Sequence, residues 1–252
     1  MAIDTKTILT LMDDLRFDCR PGLSCFNTCC RDVNIFLTPN DIMRIKKRLD
    51  MTSTEFLQKH TLTIISAKTG LPLVLLKMKE DETKECPFVT PEGCSIYPDR
   101  PWSCRMYPLD YDYKEDYYRV IADPAKCRGF EVDKEWVVED WLASQGVLFP
   151  KELDRMFDEV TSRLEFPKDK IENPKIVDMF YLACYDLDRF RRFVFESRFL
   201  EVFDIAEGLA EKARTNDEEL ARLAFLWLKF GMADKNALQL RPGVIKEQEK
   251  TL

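Results

Sequence analysis

Cysteine is distributed very unevenly along this chain of 252 residues, and this feature restricts the possible folds more than any other. Eight of the nine cysteines fall within the first 127 residues, and only Cys184 lies beyond them. Thiols stay reduced in the cytoplasm, so a dense cysteine pattern there indicates metal binding or catalysis before it indicates disulfide bonds. The first half of the chain is therefore predicted to be organised around a metal site.

The eight N-terminal cysteines are the candidate metal ligands. They are Cys19, Cys25, Cys29, Cys30, Cys86, Cys94, Cys104 and Cys127. The vicinal pair Cys29 and Cys30 favours a loop wrapped around a cluster or two adjacent metal centres, because adjacent extended side chains point apart. Eight thiolates suffice for two four-thiolate sites, of zinc or of iron–sulfur type. Buried reduced thiols and disulfide bonds are the alternatives, and Cys184, in an apolar helical stretch, is predicted to be core.

Four of the candidate ligands are followed directly by an arginine. These arginines are Arg20, Arg31, Arg105 and Arg128. Fixed positive charge stabilises thiolates, and a metal–thiolate cluster carries negative charge that must be offset. The pattern therefore suggests that these guanidinium groups lie near the cluster. The single histidine, His60, is predicted to provide a favourable charge at a helix end rather than a metal ligand.

Composition and charge narrow the class of protein. Hydrophobic residues make up 45% of the chain and charged residues 33%, which excludes a wholly disordered protein. With 38 basic and 45 acidic residues the net charge is −7, so we expect no nucleic-acid partner. No apolar segment approaches the roughly 20 residues of a membrane helix, and the N-terminus has no apolar core of a secretory signal. We expect a cytoplasmic protein of bacterial or archaeal type, with no membrane association.

The hydrophobic pattern predicts an α+β protein that is mainly helical. Residues 1–133 are predicted to form a small, irregular cysteine-rich metal domain with short strands, because turn residues are frequent there. Residues 134–252 are predicted to form a helical region that packs on it. Locally, residues 4–15 suggest a short helix, and residues 174–195 suggest one long helix. Thr38 and Thr52 have the sequence context of helix N-caps.

Several cysteine motifs, taken in order, resemble the YkgJ-type cysteine-cluster family. The resemblance covers about residues 17–130 and rests on Phe17–Arg31, Ile35–Ile42, Cys86–Phe88, Gly93–Pro101, Cys104–Pro108 and Cys127–Gly129. In the first motif the gaps between cysteines are five and three residues, where the family's CxxCxxCC signature has two. The resemblance implies a zinc- or iron-chelating domain. Similarity to the cysteine region of the flagellin lysine N-methylases implies an iron–sulfur cluster.

Three functions are compatible with these features. The first is a metal-binding module, holding an iron–sulfur cluster or zinc, with a redox, sensing or assembly role. The second is an iron–sulfur protein lysine methyltransferase, although the 8 glycines form no Gly-rich nucleotide loop. The third is a helical adaptor with a structural metal, whose C-terminal helices bind a protein partner. An all-cysteine ligand set leaves no open position for zinc-activated water, which argues against a zinc hydrolase.

Overall fold

The computed structural model describes residues 6–112, 115–148, 152–162, 174–232 and 234–243. The chain forms two compact units, each built from two separate stretches of sequence. Unit 1 comprises Met1–Leu37 and Leu75–Pro150, and unit 2 comprises Thr38–Val74 and Lys151–Leu252. The fold is α+β, as the sequence predicts. The domain boundary after residue 133 stays a prediction.

The elements are numbered in chain order. The strands are β1 (Ile8–Leu9), β2 (Asp14–Arg16), β3 (Thr61–Ile65), β4 (Pro72–Leu76), β5 (Val89–Thr90), β6 (Gly93–Cys94), β7 (Leu109–Asp112), β8 (Tyr117–Val120), β9 (Glu135–Val137), β10 (Phe203–Asp204) and β11 (Gln239–Leu240). The α-helices are α1 (Pro39–Arg48), α2 (Ser53–His60), α3 (Trp102–Met106), α4 (Val138–Ser144), α5 (Glu152–Ser162), α6 (Pro174–Cys184), α7 (Leu187–Glu196), α8 (Phe199–Val202), α9 (Glu207–Ala213) and α10 (Asp217–Met232). Short 3₁₀ helices cover Thr28–Cys30, Tyr97–Asp99 and Arg128–Glu131.

Unit 1 consists mainly of short antiparallel strands and turns. Its sheets have the orders β1-β8-β7, β2-β9 and β5-β6. Leu15 on β2 pairs with Trp136 on β9 and is fully buried, together with Leu109 at the start of β7. Phe17 packs edge-on against Trp141, with ring centroids 5.2 Å apart. The indole N–H of Trp136 donates to the Phe17 carbonyl at 3.0 Å. This core supports the segment that carries the first cysteines.

Unit 2 is mainly helical, and two of its helix starts confirm sequence predictions. The Thr38 and Thr52 side chains accept hydrogen bonds from the N–H groups of Asp41 and Glu55, and both caps are complete capping boxes. The 16-residue α10 buries one face completely, with Leu220, Leu223, Phe225 and Leu228 all at 0% exposure. No helix in the described ranges is both long enough and apolar enough to cross a bilayer.

A buried ion-pair network joins the helices of unit 2. The Lys46 ammonium lies 2.9 Å from carboxylate oxygens of both Asp188 and Asp217, and the Lys46 side chain is only 8% exposed. Arg191 pairs with the same two carboxylates. Burial opposes ionisation of Asp188, but the N–H of Ser53 and the Lys46 ammonium more than offset it and lower its pKa to about 2.

Two local predictions are wrong. In the described part of residues 4–15 the chain forms β1 and β2 instead of a helix, because these strands pair with β8 and β9. The single long helix predicted over 174–195 is interrupted between α6 and α7 at Tyr185 and Asp186. The Asp186 carboxylate accepts hydrogen bonds from the hydroxyls of Ser53 and Thr54, and both interactions tie the break to α2.

Candidate metal centre

A cavity of about 780 Å³ lies within unit 1 and is lined by six of the eight candidate ligands. The six are Cys19, Cys29, Cys30, Cys86, Cys94 and Cys104. Much of the remaining wall is apolar and includes Phe17, Phe88 and Trp141. All nine cysteines of the chain lie in the described ranges, and each carries a reduced thiol. The fold therefore brings together thiols that are widely separated in sequence.

The last candidate ligand, Cys127, lies beside the first cysteine motif. The backbone N–H of Arg128 donates to the Cys25 Sγ at 3.1 Å. The N–H of Asp18 donates to the Gly129 carbonyl at 3.0 Å, which holds the segment that contains Cys19 against the same turn. Burial, followed by repulsion from the thiolates of Cys29, Cys127 and Cys25, raises the pKa of Cys19 to about 12. These four thiols therefore interact as one electrostatic group.

Cys30 lies beside a different set of thiols. The N–H of Cys86 donates to the Cys30 carbonyl at 2.8 Å, and Arg31 and Glu85 form the adjoining antiparallel bridge. The β5-β6 hairpin places Cys94 opposite Val89, whose N–H donates to the Cys86 carbonyl.

Electrostatic interactions add Cys104 to this second set and also link Cys30 to its neighbour Cys29. The hydrogen bond that the Cys30 thiol donates to Cys29, then burial, then repulsion from the thiolates of Cys29, Cys104 and Cys86 raise the pKa of Cys30. Burial and repulsion from the Cys94 thiolate raise the pKa of Cys86 to about 11, against an opposing hydrogen bond from the Phe88 N–H.

The vicinal thiols differ strongly in acidity. Cys29 and Cys30 both belong to the 3₁₀ helix over Thr28–Cys30, and their thiols hydrogen-bond to each other. Cys29 accepts this hydrogen bond, which lowers its pKa to about 7 against the effect of burial. Cys29 is therefore the thiol in this pair that is poised to ionise near neutral pH.

Three of the cysteines share a local backbone geometry. In each case the sulfur accepts a hydrogen bond from the N–H two residues further along the chain. The pairs are Cys86 with Phe88, Cys94 with Ile96, and Cys127 with Gly129. Such N–H···S bonds stabilise a thiolate and tune a metal centre bound to it. The turns around these cysteines are therefore preorganised for the charged form of sulfur.

Two further side chains act on the candidate ligands and were not assigned a role from the sequence. Tyr107 donates a hydrogen bond from its hydroxyl to the Cys127 sulfur, and burial together with nearby thiolates raises its own pKa. Arg100 donates to the Cys104 carbonyl at 3.4 Å, and its charge favours the thiolate of Cys94. Both lie in motifs, 93–101 and 104–108, that the resemblance had already marked.

The four arginines that follow cysteines have other partners in the structure. Arg31 pairs with Glu85 at 2.7 Å, Arg20 with Asp18 at 3.7 Å, and Arg128 with Glu131. Arg105 donates to the carbonyl of Gly146 at 2.9 Å. Side chains of adjacent residues point in different directions, so a charge next to a cysteine in sequence need not face its sulfur.

Cys184 is buried in unit 2, as the sequence predicts, and His60 lies at a helix end, but burial and then the charge of Lys59 lower the pKa of His60, which disfavours the predicted positive charge there. Cys184 is 1% exposed at the end of α6, and burial raises its pKa well above the ordinary value. His60 is the last residue of α2 and lies against Phe56, with ring centroids 5.7 Å apart.

The donor chemistry of the eight cysteines fits iron or zinc. Within the described ranges, no three His, Cys, Asp or Glu side chains are placed so that they hold one metal ion together. The fit rests instead on the chemistry of the sulfurs. Burial and mutual repulsion keep most of these thiols protonated, and a bound cation removes the repulsion and deprotonates its ligands. Thiolate sulfur is the donor that iron–sulfur clusters and structural zinc sites use.

Comparison with known proteins supports the same chemistry. No curated protein and no solved structure matches the chain at a significant level. One family model does match, over a segment that contains all eight candidate ligands. Residues 18–128 match the family described as "CxxCxxCC: Putative zinc- or iron-chelating domain", which confirms the resemblance predicted from the cysteine motifs.

Proposed function

We propose that this protein binds iron as an iron–sulfur cluster, through thiolates of its eight N-terminal cysteines, in a redox, sensing or cluster-assembly role. The observation that carries the proposal is the cavity of about 780 Å³ with six thiols in its wall. A structural zinc ion is enclosed directly by four ligands, with Zn–S distances of about 2.3 Å, and needs no such space. Iron–sulfur clusters are also held by cysteine thiolates and contain several iron and sulfur atoms.

The residues around the cavity would support electron transfer by the bound cluster. When bound, the cluster supplies a one-electron redox couple. The backbone N–H groups of Phe88, Ile96 and Gly129 would offset the negative charge of its thiolate ligands. The apolar wall, including Phe17 and Trp141, would limit access of water to the cluster. Burial and hydrogen bonds to sulfur are the means by which a protein sets the potential of such a group.

Metal analysis of protein purified without oxygen tests the proposal. We expect iron and acid-labile sulfide, with a broad visible absorbance near about 400 nm. Cys184→Ser serves as the matched control, because it removes a thiol from unit 2 and should leave the metal content unchanged. Zinc in a colourless protein would contradict the cluster, and the absence of both metals would contradict metal binding altogether.

A further inference from the structure

We infer that the eight thiols form two separate metal centres. Centre A would be held by Cys19, Cys25, Cys29 and Cys127, and centre B by Cys30, Cys86, Cys94 and Cys104, with the thiols of each set drawing together around the metal, since no three of them in the described ranges are placed to share one ion. The inference rests on the proposed function, because both centres require a bound metal. It adds a second metal site and assigns each cysteine to one of the two.

Backbone contacts assemble centre A from two distant segments. The Arg128 N–H binds the Cys25 Sγ at 3.1 Å, so Cys25 lies beside the turn that carries Cys127. The Asp18 N–H binds the Gly129 carbonyl at 3.0 Å, which brings Cys19 to the same turn. A methyl group on Gly129 would lie 2.9 Å from the Asp18 carbonyl oxygen, so the approach is as close as a glycine allows.

Separate backbone contacts assemble centre B. The bond of 2.8 Å from the Cys86 N–H to the Cys30 carbonyl joins the first motif to the β5-β6 segment. Cys94 enters from β6, whose partner strand begins three residues after Cys86. Cys104, on α3, repels the thiolate of Cys30 and lines the same cavity. Its carbonyl accepts a hydrogen bond from Arg100.

The vicinal pair is the point at which the two centres meet. Cys29 and Cys30 lie in a 3₁₀ helix, where successive side chains leave the axis about 120° apart. Their thiols touch, yet Cys29 interacts with Cys19 and Cys127, whereas Cys30 interacts with Cys86 and Cys104. Two consecutive ligands can therefore belong to two neighbouring centres.

A single four-thiolate centre explains the structure less well. It would use only half of the eight thiols and leave four sulfurs without a metal in or beside the same cavity. The N–H···S bonds occur in both groups, at Cys127 in centre A and at Cys86 and Cys94 in centre B. In both groups, therefore, backbone N–H groups are placed to stabilise thiolate sulfur.

Paired serine substitutions test the assignment. Cys25→Ser with Cys127→Ser disables centre A, and Cys86→Ser with Cys94→Ser disables centre B. The readout is metal and sulfide per chain in the full-length protein, with Cys184→Ser as the control. We expect each pair to lose about half of the wild-type metal, and the four substitutions together to lose all of it. Two results would overturn the inference. One is that either double variant folds but loses all of its metal. The other is that one double variant loses metal while the other keeps the full wild-type amount.

A second measurement, on the wild-type protein, tests the assignment even if the serine variants do not fold. The wild-type protein is treated with increasing chelator, and the released thiols are alkylated with iodoacetamide and located by mass spectrometry. We expect the thiols to become reactive in two groups with the membership given above. Simultaneous release of all eight, or groups that mix the two sets, would overturn the inference. Wild-type protein without iron or zinc would contradict the proposed function itself, and zinc released in two such groups would contradict only the cluster.

Discussion

Gly129 packs so closely against Phe17 that a methyl group in place of its hydrogen would lie 2.7 Å from a carbon atom of the Phe17 ring. The Phe17 ring is 1% exposed and is held by Trp141 and Phe130, so it has little freedom to move away. The contact therefore ties the turn after Cys127 to the core of unit 1.

Gly129→Ala should destabilise unit 1 by about 1–3 kcal/mol, because the added methyl group overpacks a buried contact. Urea unfolding followed by tryptophan fluorescence measures the change. Gly208→Ala is the matched control, since a methyl group there meets nothing within 4 Å and Gly208 lies in α9. The control should be neutral or stabilising by up to about 1 kcal/mol. Equal destabilisation by both variants would contradict the close contact.

Tyr107→Phe should make the reduction potential of the bound metal group more negative. The substitution removes the hydrogen bond that the phenol donates to the Cys127 sulfur, and such bonds stabilise the more negatively charged, reduced state. A redox titration followed by visible absorbance measures the potential. Tyr118→Phe is the control, because the Tyr118 ring packs at a tilt against Tyr111, with 4.9 Å between ring centroids, on the β7-β8 ribbon. A potential unchanged by Tyr107→Phe, or shifted equally by the control, would count against the hydrogen bond.

Cys29 should be among the first of the eight thiols to react with iodoacetamide in the metal-free protein at pH 7.5. Its pKa is lowered to about 7, so more than half is thiolate, whereas Cys86, with a pKa raised to about 11, stays protonated. Peptide mapping at several pH values should give a half-maximal rate for Cys29 near pH 7. Cys30→Ala removes the donor and should move that midpoint up toward the ordinary value of 9.0. If Cys86 reacted with iodoacetamide as fast as Cys29, the difference in thiol pKa between the two residues would be disproved.

Asp188→Asn should destabilise unit 2, and the loss should depend on pH. The folded pKa of Asp188, about 2, lies below its ordinary value of 3.8, so its ion pairs stabilise fully above about pH 4. This stabilisation, about 2 kcal/mol, disappears as the pH falls through 2. Urea unfolding at pH 7, 4 and 2.5 should therefore show a difference from wild type that shrinks with acid.

The control for this prediction is an ion pair near the surface. Asp110 pairs with Arg119 at 2.6 Å, and the two side chains are 34% and 49% exposed. Asp110→Asn should change stability by less than about 1 kcal/mol at every pH. If Asp110→Asn cost as much as Asp188→Asn, burial of the Lys46 network would not be the source of the effect.

The parts of the fold that depend on local chemistry could be predicted from the sequence. The helix starts at Thr38 and Thr52 follow from side chains that reach only three residues along the chain. The prediction of an N-terminal helix was wrong because β1 and β2 pair with strands that lie far along the chain, in pairs such as Leu15 with Trp136. No local pattern reports such a pairing.

In the candidate site, too, some features could be predicted from the sequence and others could not. Residue type alone nominated the eight thiols as candidate ligands, since soft sulfur donors in this density have few other uses. The division into two centres that we propose could not be predicted, because it depends on contacts such as that between Arg128 and Cys25, 103 residues apart. The arginine pattern was informative only in part: Arg31 lies next to Cys30 in sequence but pairs with Glu85, whereas the charge of Arg128 interacts with Cys25. Tyr107 could be assigned to the site only after its hydroxyl was seen beside Cys127.

The contact between Cys25 and Arg128 also has a consequence for the growing polypeptide. The two residues are 103 positions apart, and a bacterial or eukaryotic ribosome adds about 5–20 residues per second. The first cysteine motif therefore emerges roughly 5–20 s before the turn that completes its surroundings. During that interval the early thiols have not yet reached the turn that surrounds them in the folded chain, and they are exposed to oxidants and to adventitious metals.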